Sequence, residues 1–120
     1  MKCKFAHYNF NVLDLEKSMA FYENNLGLKE VNRKKATDGS FEIVFLGDGE
    51  TDFRLELTHL RDWKEPYNLG DNETHLAVRV NNIEEARIFH RKQGVICYEN
   101  KEMGIYFISD PDGYWIEIIS

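Results

Sequence analysis

The sequence has few residues that crosslink a chain or carry it across a membrane. It contains only two cysteines and two prolines among 120 residues, and no uninterrupted apolar run approaches the roughly 20 residues of a membrane-spanning helix. Cys3 and Cys97 are too few for a zinc site built of sulfur alone, and they are typical of a reducing compartment. Because no targeting segment is recognisable near the N-terminus, we expect a soluble cytoplasmic protein without a membrane partner.

The chain has fewer positively charged residues than negatively charged ones. Fifteen Lys and Arg against 21 Asp and Glu give a formal net charge of −6. Nucleic acid is therefore excluded as a partner, since phosphate backbones require a basic face. Glycine-rich phosphate loops and the G-x-S-x-G nucleophile motif are absent as well. The length predicts a single domain, and 42% hydrophobic residues are enough for its core.

The sequence does contain a pattern that runs twice. Alternating apolar and polar residues predict a strand over 5–12, and a helix follows with Asp14 as its N-cap and Gly27 just past its end. The same order restarts with a strand over 75–80 and a helix that Gly94 ends. Further strands are predicted at 28–31, 41–46, 53–57, 95–98, 105–108 and 114–119.

A shift of 68 residues overlays the two halves and places His7 on His75. Each half has the order β-α-β-β-β, and about 60 residues cannot cover both faces of a sheet, so the halves should pair. We therefore predict an α+β fold in which βαβββ modules form an open eight-stranded, barrel-like cavity. The modules are expected at about 1–57 and 75–120 of one domain, joined by a linker at 58–74.

The repeat duplicates a pair of chemically useful residues. Each half has a histidine in its first strand and a glutamate in its last, namely His7 with Glu56 and His75 with Glu117. By alternation, all four side chains point away from the helix-packing face and toward the expected cavity. Imidazole nitrogens and carboxylate oxygens bind divalent Zn, Ni, Co, Mn or Fe, and such a cation offsets the repulsion between two carboxylates. The repeat therefore predicts one four-ligand metal site.

Taken singly, each of these residues has a simpler explanation. An inward histidine on a strand is more often a hydrogen-bonded structural residue than a ligand, and a strand glutamate usually faces water. The metal site is favoured because both pairs fall at equivalent positions of the repeat. His59 and His90 have no such symmetry and are assigned structural roles, His59 at the start of the linker and His90 at the helix position of Tyr22.

Several further segments follow a known pattern. They are Val12-Leu13-Asp14-Leu15, Phe21-Tyr22, Leu26-Gly27-Leu28, Leu55-Glu56-Leu57-Thr58, Asn68-Leu69-Gly70, His75-Leu76-Ala77-Val78 and Asp110-Pro111-Asp112-Gly113-Tyr114. With the four ligands, they resemble the vicinal-oxygen-chelate superfamily and, within it, the glyoxalase I (lactoylglutathione lyase) branch. The resemblance covers nearly the whole chain. The His-Glu-His-Glu set is its most discriminating part, since related extradiol dioxygenases and thiol transferases use two histidines and one glutamate.

The resemblance implies a metal-dependent carbon–sulfur lyase or isomerase. Its members convert the hemithioacetal of methylglyoxal and a thiol, usually glutathione, into a 2-hydroxyacyl thioester through an enediolate, a reaction that detoxifies methylglyoxal. It implies one divalent ion per site, nickel or zinc with cobalt or manganese as alternatives. Glu117 is the expected catalytic base, and Glu56 is a ligand that assists reprotonation. It also implies a homodimer in which His7 and Glu56 of one chain meet His75 and Glu117 of the other.

The sequence departs from this family where glutathione is bound. Asn11 stands where glutathione-using members tend to carry arginine, and Leu60 stands where they tend to carry asparagine. We predict Asn11 and Arg79 as substrate-binding residues and leave the identity of the thiol and of the metal open. The alternative functions are another metalloenzyme of this superfamily, an epimerase or a thiol transferase, and a metal-free drug-binding module.

Overall fold

The same chain path, β-α-β-β-β, occurs in both halves of the protein. A computed structural model describes residues 1–120, which form two compact units, Met1–Tyr67 and Asn68–Ser120. The first unit contains β1 (His7–Asn11), α1 (Leu15–Leu26), β2 (Lys29–Lys35), β3 (Phe41–Gly47) and β4 (Arg54–Leu60). The second unit contains β5 (Leu76–Arg79), α2 (Ile83–Gln93), β6 (Ile96–Asn100), β7 (Ile105–Ser109) and β8 (Trp115–Ile119).

Each unit has one four-stranded mixed sheet, and the two sheets have equivalent strand orders. The orders are β1-β4-β3-β2 and β5-β8-β7-β6. In both sheets the first strand runs parallel to the last one, and the other pairs are antiparallel. The predicted α+β class, with one βαβββ module in each half of the chain, is therefore confirmed.

Both helices begin and end in the same way. The side chains of Asp14 and Asn82 each accept a hydrogen bond of 3.1 Å from the backbone N–H three residues later. Gly27 and Gly94 end the helices in the left-handed region, at φ 68° and 71°, where a residue without Cβ is favoured. Neither helix is long and apolar enough to span a membrane.

Alternation along β4 and β8 separates the core from the opposite face. Leu55 and Leu57 are buried on β4, and Ile116 and Ile118 are buried on β8. The residues between them are the predicted glutamate ligands Glu56 and Glu117, and both are only partly buried. Since successive side chains of a strand point to opposite faces, the glutamates lie on the face of each sheet that is not packed in the core.

Two boundaries differ from the sequence prediction. β4 continues to Leu60, so His59 lies in a strand opposite Glu42 and does not open the linker. β2 reaches Lys35 although its residues are mostly charged. Polar residues suit an edge strand that is open to water on one side, and Arg33 ties this strand to β3 through an ion pair of 2.9 Å with Glu42.

His90 has the structural role predicted for it. Its side chain is buried, and Nδ1 lies 2.7 Å from the hydroxyl of Tyr106 on β7. Burial raises the pKa of Tyr106 to about 12, so the phenol remains neutral at ordinary pH. The pair connects α2 to the sheet of the second unit.

Replacing Tyr106 with Phe should therefore destabilise the protein by about 1–3 kcal/mol, because His90 loses a buried hydrogen-bond partner. The pKa of Tyr106 is raised in the folded state, so its contribution is present below about pH 10 and is lost as the pH rises toward about 12. Urea unfolding of both proteins at neutral pH, pH 10 and pH 11.5 measures this. The difference between them should shrink at high pH, and an equal difference throughout would contradict the role of the phenol proton.

Candidate metal centre

The first candidate ligand pair lies on two parallel neighbouring strands. His7 begins β1, Glu56 is in β4, and Asn9 is the register partner of Glu56. Nε2 of His7 lies 3.5 Å from Oε2 of Glu56, and the glutamate side chain is 15% exposed while the histidine is 47% exposed. The strand pairing thus brings together the two residues that the sequence predicts as ligands in this half.

The second pair repeats this arrangement in the second unit. His75 immediately precedes β5, and Glu117 lies on β8, which is parallel to β5. Nε2 of His75 is 2.9 Å from Oε2 of Glu117, with side-chain exposures of 40% and 17%. Both pairs therefore bring the same two atoms together, and in both the glutamate side chain is more buried than the histidine side chain.

Each histidine ring also contacts a phenylalanine that sequence reasoning missed. Phe45 lies 6.0 Å from the His7 ring at 81°, and Phe107 lies 5.1 Å from the His75 ring at 89°. Phe45 and Phe107 are the register partners of Glu56 and Glu117 in the antiparallel neighbours. The signal in the sequence is a phenylalanine at the matching position of both hairpins. These edge-to-face contacts limit the rotation of each imidazole.

The chemistry of the two pairs fits a divalent cation. The only ion-pair partner of Glu56 is His7, and that of Glu117 is His75; no lysine or arginine nitrogen lies within 4.0 Å of either carboxylate. A partly buried carboxylate is costly unless a positive charge compensates it. Nitrogen and oxygen donors without a competing cation are suitable ligands for a metal. Within one chain, no three His, Cys, Asp or Glu side chains form a metal-binding group.

The structure also places the predicted substrate-binding residues. Asn11 Oδ1 accepts a hydrogen bond of 2.8 Å from Asn9, whose own Oδ1 accepts one of 2.5 Å from Thr58. The guanidinium of Arg79 donates to the backbone carbonyl of Ser120. These contacts leave the role of Asn11 and Arg79 in substrate binding a prediction.

A cavity of about 280 Å³ lies elsewhere in the first unit and contains none of the four predicted ligands. Its lining includes His59, Arg61 and Lys35. The two cations among these residues already have carboxylate partners, since Lys35 pairs with Glu42 at 3.1 Å and Arg61 pairs with Asp62 at 3.0 Å. This cavity therefore presents no free positive charge to an anionic ligand.

Comparison with known proteins shows which family the chain belongs to. Residues 4–118 match the Glyoxalase/Bleomycin resistance protein/Dioxygenase superfamily. A lactoylglutathione lyase of Neisseria meningitidis is 42% identical over 97% of this chain and 89% of its own length. A lactoylglutathione lyase of Salmonella typhimurium is 35% identical over 97% of this chain and 91% of its own. These relatives are lyases, which agrees with the predicted class of enzyme.

Solved structures extend the comparison to the fold. The trypanothione-dependent glyoxalase I of Leishmania major superimposes with a TM-score of 0.87 at 30% identity, covering 99% of this chain and 87% of that one. Glyoxalase I of Zea mays gives a TM-score of 0.83 at 27% identity, covering 97% of this chain but 44% of the maize chain. The predicted resemblance is confirmed, and the chain belongs to the Glyoxalase/Bleomycin resistance protein/Dioxygenase superfamily, with lactoylglutathione lyases among its relatives.

Proposed function

We propose that the protein is a metal-dependent isomerase of the glyoxalase I type. It converts the hemithioacetal of methylglyoxal and a low-molecular-weight thiol into a 2-hydroxyacyl thioester, and so removes methylglyoxal. The observation that supports this most directly is the duplicated pair of histidine and glutamate, at 3.5 Å and 2.9 Å, at matching positions of the two units. The lactoylglutathione lyases among its relatives support the same reaction.

His7, Glu56, His75 and Glu117 would together hold one divalent ion, nickel or zinc, with cobalt or manganese as alternatives. When bound, such an ion supplies the positive charge that stabilises negative charge developing on the substrate oxygens. The two imidazoles would supply nitrogen donors, and the two partly buried carboxylates would supply oxygen donors and the compensating negative charge. No cysteine is needed in this set.

The proton transfer falls to the carboxylate of Glu117. It takes the proton from the carbon that bears sulfur and hydroxyl, and the neighbouring carbon, formerly the carbonyl carbon, receives a proton in return. The hydroxyl proton passes to the former carbonyl oxygen, so the bond changes balance within the substrate and no further reactant is required. His75 Nε2 lies 2.9 Å from the Glu117 oxygen, so the two donor atoms of this half would face the same ion. Glu56, beside His7, assists the return of the proton.

We also propose that the active protein is a homodimer with two shared sites. His7 and Glu56 of one chain and His75 and Glu117 of a second chain would complete each site. Each compact unit carries only two of the four donors. A two-fold arrangement would build two equal sites from four such half-sites.

One activity assay tests which metal ion and which thiol the protein uses. The protein is stripped with a chelator, reloaded separately with nickel, zinc, cobalt or manganese, and assayed by thioester absorbance with hemithioacetals of glutathione, trypanothione, cysteine and N-acetylcysteamine. Stripping should reduce turnover by about 10²-fold or more, and at least one metal should restore it. Absence of turnover with every metal and thiol would contradict the proposed function.

A further inference from the structure

Two of the six arginines, Arg54 and Arg79, pair with no carboxylate side chain. Four of the six pair with carboxylate side chains, and these are Arg33, Arg61, Arg87 and Arg91. Arg79 donates to the carbonyl of Ser120. Arg54 has no carboxylate within 4.0 Å, and its hydrogen bonds go only to backbone carbonyls. The nearby Asp52 pairs with Lys4 at 2.8 Å instead.

The guanidinium of Arg54 is nevertheless held in place. Its Nη1 donates to the carbonyls of Thr51 at 2.7 Å and Phe53 at 3.0 Å. The turn that presents Thr51 is fixed by Asp48, which accepts a hydrogen bond of 2.7 Å from the Thr51 N–H. That bond is the main reason why the pKa of Asp48 is lowered.

Gly47, the register partner of Arg54 on β3, makes the space for this side chain. A Cβ at position 47 would lie 3.3 Å from Nη1 and 3.4 Å from Cζ of Arg54, closer than most such contacts in proteins. The guanidinium is therefore supported along its Nη1 side by glycine and two carbonyls. Its Nε and Nη2 atoms, which form the fork that matches a carboxylate, donate to no acceptor in this chain.

Arg61 provides the contrast within the same unit. Its Nη1 also donates to a backbone carbonyl, that of Asp38 at 2.8 Å. Its Nε and Nη2 are occupied by the two carboxylate oxygens of Asp62, at 3.0 Å and 3.1 Å. Arg61 thus binds a carboxylate through Nε and Nη2. No residue of the chain supplies a carboxylate to the same two atoms of Arg54.

Arg54 lies on the same sheet as two residues of the candidate metal centre. Arg54 is the register partner of His7 and lies two residues before Glu56, so the three belong to the same face of the sheet. Lys34 brings a second cation without a carboxylate partner, with Nζ 5.5 Å from the centroid of the Phe45 ring that His7 contacts. Asn11 and Leu60 contribute no charge.

We propose that Arg54 binds a carboxylate of the thiol cosubstrate through Nε and Nη2. This inference rests on the proposed function, and it narrows the thiol to those that carry a carboxylate. A planar guanidinium fork recognises a carboxylate through two parallel hydrogen bonds, which a neutral ester does not match. The carboxylate is distant from the reacting carbons, so the interaction contributes to binding and not to the chemical step.

The test compares Arg54→Gln with Arg61→Gln, using hemithioacetals of glutathione and of glutathione diethyl ester. For the acid, Arg54→Gln should raise KM about 10-fold and change kcat less than about 2-fold, the pattern of lost uniform binding. With the ester as substrate, the KM of Arg54→Gln should stay within about 2-fold of the KM of the unmodified protein for the same ester. With either substrate, the KM of Arg61→Gln should stay within about 2-fold of that of the unmodified protein. Arg54→Lys, which retains charge without the fork, should give an intermediate KM and serves if Arg54→Gln does not fold.

Calorimetric binding of S-methylglutathione and its diethyl ester separates this inference from the proposed function. The unmodified protein should bind the acid about 10-fold more tightly than the ester, and Arg54→Gln should bind both equally. Loss of all turnover with this binding pattern intact would overturn the proposed function alone. An unchanged KM and affinity in Arg54→Gln, or an equal loss for acid and ester, would overturn the inference even if turnover is normal.

Discussion

Replacing Glu117 with Gln should lower kcat by about 10³-fold or more while the protein remains folded. The amide of glutamine has nearly the size of the carboxylate and keeps an oxygen beside His75 Nε2, which lies 2.9 Å from the glutamate oxygen. It cannot accept the proton of a carbon acid, so the base is lost although the shape is kept. A factor of 10³ in kcat corresponds to about 4 kcal/mol of transition-state stabilisation.

The matched control for this substitution is Glu102→Gln. Glu102 is an exposed glutamate of the same unit and has no ion pair, so this variant should keep kcat within about 2-fold because it removes a similar charge far from the chemistry. Steady-state kinetics, far-ultraviolet circular dichroism and elemental analysis of bound metal are measured on both variants. A Glu117→Gln protein with full metal content and nearly normal kcat would refute the assignment of Glu117 as the base.

The general plan of the fold could be predicted because it depends on short-range patterns that occur twice. The period changes from two to about 3.6 where each first strand gives way to a helix, and Asp14 and Gly27 mark the ends of the first helix. The repeat then relates residues far apart in the sequence, so that His7 and Glu56 could be paired without knowledge of the strand register. The 3.5 Å and 2.9 Å separations within the two pairs follow from parallel pairing of the first and last strands of each unit.

The features that could not be predicted depend on contacts between strands. The sequence pattern places His59 in the linker because clear alternation ends at Leu57, whereas pairing with Glu42 extends the strand. The role of Phe45 requires the register of β3 against β4, which a single strand pattern does not contain. The unpaired Nε and Nη2 atoms of Arg54 could be predicted least of all. Their placement depends on the conformation of the preceding turn and on the absence of a side chain at Gly47.

Whether each site is shared between two chains can be tested with two inactive variants. One chain carries Glu56→Gln and the other carries Glu117→Gln; the two are co-expressed with different affinity tags, and the mixed dimer is purified through both tags. Glu56 and Glu117 belong to different compact units, so each variant damages one kind of half-site and leaves the other intact. Each homodimer alone should be inactive, because every one of its sites contains one substitution.

The mixed dimer should recover about half of the unmodified activity if sites form between chains, because one site receives both substitutions and the other receives neither. If sites form within a chain, every site of the mixed dimer still contains one substitution and no activity should return. A doubly tagged dimer of unmodified chains controls for the tags, and a dimer of two Glu117→Gln chains controls for contamination. An inactive mixed dimer would therefore exclude shared sites but not the proposed reaction, since the Glu117 assignment is tested separately. Recovery of activity would require that one chain contribute His7 and Glu56 while its partner contributes His75 and Glu117, because no other combination brings two intact pairs together.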